Sequence, residues 1–100
     1  MISDEVIKQV KRRLDVLANA KSKAVLDMLN DKREPYTAYM TAIKVRLPLS
    51  SVQRCLNKLV ECEFVEKVEH YKGAKYSVNI EEITGFYRFL KIFKNRDWSK

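Results

Sequence analysis

Apolar spacing alone divides the chain into five helical stretches and one hairpin. From about Ser3 to Ala18, Val6, Val10, Leu14 and Leu17 form one stripe, with Ile7 beside it, as in an amphipathic helix. Ser3 suits its N-cap, and Asp4 and Glu5 suit the positive end of its dipole. Lys8, Lys11, Arg12 and Arg13 are expected to face solvent. Asn19 is placed to cap a second helix, to about Asn30, with Val25, Leu26 and Leu29 inward. The polar run NDKREP ends that helix, and Pro35 suits the first turn of a third. Tyr36, Tyr39, Met40, Ile43 and Leu47 space the third helix, the tyrosines reading as core or as rim contacts to a phosphate.

The stretch from Leu47 to Val78 is the most informative. Pro48 breaks the chain, and Ser50 with Gln53 has capping-box spacing for a fourth helix. Val52, Leu56 and Leu59 lie on one stripe of it, while Ser51, Gln53, Arg54, Asn57 and Lys58 occupy the other side. Those side chains can donate to phosphates or hydrogen-bond base edges, and none is acidic. Phe64 to Glu69 alternates as a strand, Gly73 supplies a turn, and Tyr76 and Val78 lie on a second strand. A last helix runs from near Glu81 to about Asn95, with Ile83, Phe86, Leu90 and Phe93 on its stripe and Tyr87, Phe89 and Ile92 widening it. This is more aromatic surface than the end of a small domain leaves wet.

One hundred residues make one domain with one modest core, which a second subunit would help to complete. We therefore read residues 1–100 as a single domain. The net charge of +7 fits a polyanionic partner, and its distribution is more telling than its total. Residues 35–60 hold four basic and no acidic side chains, and residues 84–100 hold five basic and one acidic. Residues 61–83, with three basic and six acidic, are net negative. Positive charge thus concentrates at the fourth helix and the C-terminus, as a nucleic-acid footprint would. No apolar run approaches membrane-spanning length and no signal-peptide core is present, so we expect a soluble, cytoplasmic protein without a membrane partner. Cys55 and Cys62, seven residues apart on one helix, lie about 10 Å apart. A disulfide needs Cα atoms within about 7 Å, so they read as reduced, packed thiols.

Three segments in order, LANAKSKAVLDML, LPLSSVQRCLNKLVECEFVEK and YKGAKYSV, resemble the ArsR-like winged helix-turn-helix transcription regulators over about residues 14–83. They look like that family's second-helix opening, recognition helix and wing. The resemblance implies a mainly α fold with a small β-hairpin, in the order α-α-α-α-β-β-α. It further implies a recognition helix in the major groove, a wing beside it, and pairing of two subunits through the first and last helices. By position, Ser50, Ser51, Gln53, Arg54 and Asn57 would face DNA, with Lys58 on the same face. Lys72 and Lys75 would approach phosphates from the wing, with His70 a weaker candidate. Val6, Val10, Leu14, Ile83, Phe86, Phe89, Leu90 and Phe93 would form the dimer interface.

The chain departs from the family pattern at Glu63, where Gly is usual, near Arg46, where Gly often precedes the recognition helix, and at Cys55, where a basic residue or His is usual. Metal-sensing members carry paired Cys on the third helix or Asp and His clusters on the last. Here the third helix has no Cys, and the last offers only Glu81, Glu82 and Asp97, so we expect no metal site and no cofactor. One His, two Cys and two Gly leave little for a catalytic centre, and an enzyme is not expected. The expected function is that of a dimeric, sequence-specific DNA-binding transcription regulator, a repressor. The alternative is a winged helix whose basic face meets an acidic protein.

Overall fold

A computed structural model gives the order α1 (Asp4–Ala18), α2 (Ala20–Lys32), α3 (Ala38–Val45), α4 (Leu49–Glu61), β1 (Val65–His70), β2 (Gly73–Val78) and α5 (Ile80–Asn95). It describes residues 3–95, and side chains as far as Ile92. This is the winged helix-turn-helix order that the sequence implies.

Caps set most of the boundaries. The Ser3 hydroxyl accepts from the Val6 N–H at 3.3 Å and starts α1. Asn19 ends α1 and opens α2: its N–H donates to the Val16 carbonyl at 3.2 Å, and its side chain accepts from the Ser22 N–H at 3.0 Å. One residue thus turns the chain between two helices. The centre is built by α2 and α4, from which Val25, Leu29, Val52, Leu56 and Leu59 reach full burial, joined by Phe64 ahead of β1.

The third helix differs from the sequence expectation. Pro35 does not open it; the Thr37 hydroxyl caps it, accepting from the Met40 N–H at 3.1 Å. Tyr36 is instead held extended, its N–H donating to the Tyr76 carbonyl at 2.9 Å and its carbonyl accepting from the Tyr76 N–H at 2.7 Å. That start rotates the helix, so Thr41 and Ala42 are buried while Tyr39, Met40 and Ile43 stand exposed. The cap of α4 also differs: Pro48 occupies it with no side-chain hydrogen bond, and Ser50 is already helical.

β1 and β2 pair antiparallel from Val65 opposite Val78 to His70 opposite Gly73, leaving Tyr71 and Lys72 as a two-residue loop. Gly73 takes φ +117°, a conformation L side chains rarely adopt. On β1 only Val65 is buried; the rest projects from the body as a wing.

Arg13, expected in solvent, is instead largely enclosed. Its Nε donates to the Cys62 carbonyl at 2.9 Å, and one terminal nitrogen meets Glu82 at 2.8 Å and Glu63 at 3.7 Å. The guanidinium lies over the Phe64 and Phe86 rings, 5.0 and 5.4 Å from their centroids. Its side chain is 11% exposed, tying α1 to the end of α4, the turn into β1, and α5. The stripe rule missed this because Arg13 lies beside the stripe, where its stem packs and its head finds partners.

The two positions where the resemblance anticipated glycine carry charged residues in the left-handed region, Arg46 at φ 58° and Glu63 at φ 67°. Such a conformation costs a non-glycine residue roughly 1–2 kcal/mol, which the surrounding packing offsets. Arg46→Gly should therefore raise stability by about 0.5 kcal/mol, the strain relieved less the added unfolded-state entropy. Glu63→Gly should gain less, because it also gives up the Arg13 contact. Chemical denaturation checks both, and a loss at Arg46 would show that its neighbours relieve the strain. Arg13→Ala should destabilise the fold by about 2–3 kcal/mol, as the loss of a charge-assisted bond and its packing requires. Arg13→Lys should restore less than half of that, since an ammonium cannot bond in two directions while lying flat on two rings.

Candidate nucleic-acid interface

The outward face of α4 brings five exposed polar or basic side chains together on one helix. Burial of Val52, Cys55, Leu56 and Leu59 fixes the rotation of the helix. That leaves Ser50, Gln53, Arg54, Asn57 and Lys58 exposed, with Ser51 half-buried at the edge. Arg54 and Lys58 have no carboxylate partner among the described residues, so both heads are available to a ligand. Glu61, in the last turn, is the only acidic residue of the helix.

On the wing, Lys75 faces solvent opposite Val68, and the Lys72 ammonium lies 5.5 Å from the Tyr71 ring centroid. His70 closes the β1 end of the same tip. Tyr71, 93% exposed, is the most accessible large hydrophobic side chain among the described residues and was passed over in the sequence. Its signal was an aromatic between His70 and Lys72, in the two residues before the turn glycine. Lys21 was missed too: it stands in the first turn of α2 and lines a cleft with Ser51, Arg54 and Lys58.

The residues assigned to a dimer interface divide in two. Ile83 and Phe86 are 7% and 3% exposed, committed to the chain's own core, with Phe86 tilted against Phe64 at 5.6 Å. Val10 and Leu90 are partly buried against that core. Val6, Leu14 and Phe89 are exposed, with Ile7 and Ile92 beside them. Between α1 and α5 runs an apolar groove of about 310 Å³ floored by Val6, Val10, Phe86 and Phe89. The Phe93 side chain and Asp97 lie outside the described residues.

Both cysteines are buried and free. Cys62 is the C-cap of α4 rather than part of the helix; burial pushes its thiol pKa up, and the thiol donates to the Leu59 carbonyl at 3.5 Å. Among the described residues no three His, Cys, Asp or Glu side chains group as metal ligands would, and no helix is long and apolar enough to cross a membrane.

Residues 20–69, from the first turn of α2 to the end of β1, match the IclR helix-turn-helix domain. The chain belongs to that family. It is a winged helix-turn-helix domain of the DNA-binding, transcription-regulator kind, and the matched half contains α4 whole. Solved structures share the fold across nearly the full length. An ArsR-like transcriptional regulator from a Rhodococcus species has 19% identity and a TM-score of 0.78, covering 90% of this chain and 83% of its own. A homodimeric winged helix-turn-helix DNA-binding domain from Mycobacterium bovis, a possible ArsR-family regulator, has 20% identity and a TM-score of 0.72, covering 94% and 88%. NolR from Sinorhizobium fredii has 23% identity and a TM-score of 0.68, covering 93% and 95%. Among curated proteins no match is found.

Proposed function

We propose that the chain works as a homodimeric, sequence-specific DNA-binding repressor, with α4 in the major groove and the wing on the adjoining backbone. One observation carries the reading: α4 turns Ser50, Gln53, Arg54, Asn57 and Lys58 to solvent in a stretch, residues 35–60, that holds no carboxylate. A helix of this face fits the major groove, where Arg can bond guanine with two donors and Gln or Asn can do so with adenine. Lys72 and Lys75 are set for phosphates, which fix register and not sequence. The exposed seam of Val6, Ile7, Leu14, Phe89 and Ile92 supports a second copy, as does the homodimeric state of the Mycobacterium bovis domain. The repressor role follows the ArsR-like resemblance. Residues 1–100 form one domain in this reading.

A second reading has one observation in its favour: Tyr39, Met40 and Ile43 form an exposed apolar patch on α3, beside the basic Lys44 and Arg46. A protein with an acidic, apolar face would fit there. Salt dependence separates the two, because counterion release makes affinity for DNA fall steeply with salt.

Selection from random duplexes should return an inverted repeat with half-sites about 34 Å apart, one DNA turn. Arg54→Ala should then cost roughly 1–3 kcal/mol on that site and relax preference at one base pair. Lys72→Ala and Lys75→Ala should weaken all duplexes alike. An unchanged motif and affinity for Arg54→Ala would remove α4 from the groove.

Light scattering at micromolar concentration should report twice the 11.8 kDa of one chain. Burial of a large apolar side chain contributes about 1.5–3 kcal/mol, so Phe89→Glu should shift the protein to monomer. A wild-type monomer that binds a single half-site would rule out the pairing.

A further inference from the structure

Two depressions of the surface meet at Glu82. One is the apolar groove between α1 and α5, along which Glu82, Gly85, Phe86 and Phe89 follow one another on α5. The other is a cleft of about 480 Å³ where the end of α4, β1 and the start of α5 come together. Val60, Val65 and Val68 give it apolar walls, and Glu63, Glu66 and Glu82 give it carboxylates. A chain lying in the groove and heading toward the start of α5 would pass Glu82 and enter this cleft. Gly85 leaves room at that point, since a Cβ there would meet nothing within 4 Å among the described residues. A glycine in mid-helix costs stability against alanine, and no contact within the chain requires it.

The cleft calls for a cation and an apolar side chain together. Arg13 already meets Glu82 and Glu63, and the Lys67 ammonium lies 3.3 Å from Glu69. Glu66 accepts from the Asn79 amide at 3.3 Å and has no cationic partner among the described residues. Val68, 47% exposed, offers apolar surface in the same cleft. The sequence KNRDWSK at residues 94–100 supplies both needs: three basic residues against one acidic, and the single tryptophan, Trp98.

Within one chain the two cannot meet. Glu82 stands thirteen residues before Asn95, about 20 Å back along the helix axis. Trp98, three residues past Asn95, spans at most about 11 Å. A second copy removes that obstacle. Gly85, Phe89 and Ile92 lie at i, i+4 and i+7 on α5, and the last two are exposed. Glu81 and Glu82 occupy the first turn of the helix, while Lys91 and Lys94 lie toward its end. Two copies of α5 laid antiparallel bring these opposite charges together, whereas a parallel pair would set like against like.

We propose that the cleft receives the C-terminal segment, residues 96–100, of a second copy. Trp98 packs against Val60 and Val68, and a flanking cation, Arg96 or Lys100, meets Glu66. The inference rests on the homodimer reading above and extends it from the apolar seam to the wing, tying the β1 of one subunit to the last helix of the other.

The single tryptophan reports the docking. In the wild-type dimer its emission should lie to the blue of a free KNRDWSK peptide, and acrylamide should quench it severalfold less. Val68→Asp and Glu66→Lys, both at exposed positions on β1, should each raise quenching toward the peptide's level while light scattering still reports a dimer. Combining Glu66→Lys with Arg96→Glu and Lys100→Glu should restore protection. A dimer whose Trp98 is quenched like the free peptide overturns the docking and leaves the homodimer reading intact. Protection that persists in a monomeric Phe89→Glu variant, or that ignores both β1 variants, overturns it as well. A wild type that scatters as a monomer overturns the homodimer reading, and the docking with it.

Discussion

The enclosed guanidinium of Arg13 holds together elements that make few other contacts with one another. α1 and α5 lie at opposite ends of the sequence, and α4 ends between them at Cys62. By bonding the Cys62 carbonyl, meeting Glu82 and covering two aromatic rings, one side chain fixes all three at once. The rings screen the charge from water on their side, and the carboxylates, still partly exposed, neutralise it on the other. A buried charge is tolerable only when so completely partnered. The direction of α4 is consequently anchored at its C-terminal end by a contact remote from its outward face.

That anchoring explains how so small a domain can hold the outward face of α4 in one orientation. The inward residues of α4 fix its rotation, Arg13 fixes its end, and Pro48 with left-handed Arg46 fixes its entry. What remains exposed is a face free of carboxylates at its centre. The acidic residues that follow, from Glu61 through Glu69, lie on the last turn of α4, the turn after it and β1. Charge is thus partitioned by element, and the approach of a polyanion is biased toward one side of the molecule.

Much of the architecture was legible in the sequence. The caps at Ser3 and Asn19, the α4 stripe and the Gly73 turn are local signals, and each lies where local chemistry places it. What was not legible depended on long-range partners. Tyr36 looked helical because Pro35 precedes it, but its backbone bonds are made with a strand forty residues later. The α3 stripe misread its phase because the buried positions are the small Thr41 and Ala42, which let helices approach closely and carry no strong apolar signal. Ile83 and Phe86 could be assigned to an interface because spacing shows that a face is apolar, never which body covers it. Within the candidate site the exposed donors of α4 were identifiable from the helical period, whereas Lys21 and Ser22 join Arg54 only through the packing of α2 on α4.

The backbone pairing of Tyr36 with Tyr76 bears on a different hazard. A two-stranded hairpin has two open edges, each a template on which another chain can add a strand and begin an aggregate. Here the outer edge of β2 is partly closed by the chain itself, through two bonds near its middle. The outer edge of β1 carries Glu66, Lys67 and Glu69, whose solvated charges resist stacking in register. The wing can therefore extend from the body while discouraging fibre-like growth on both flanks.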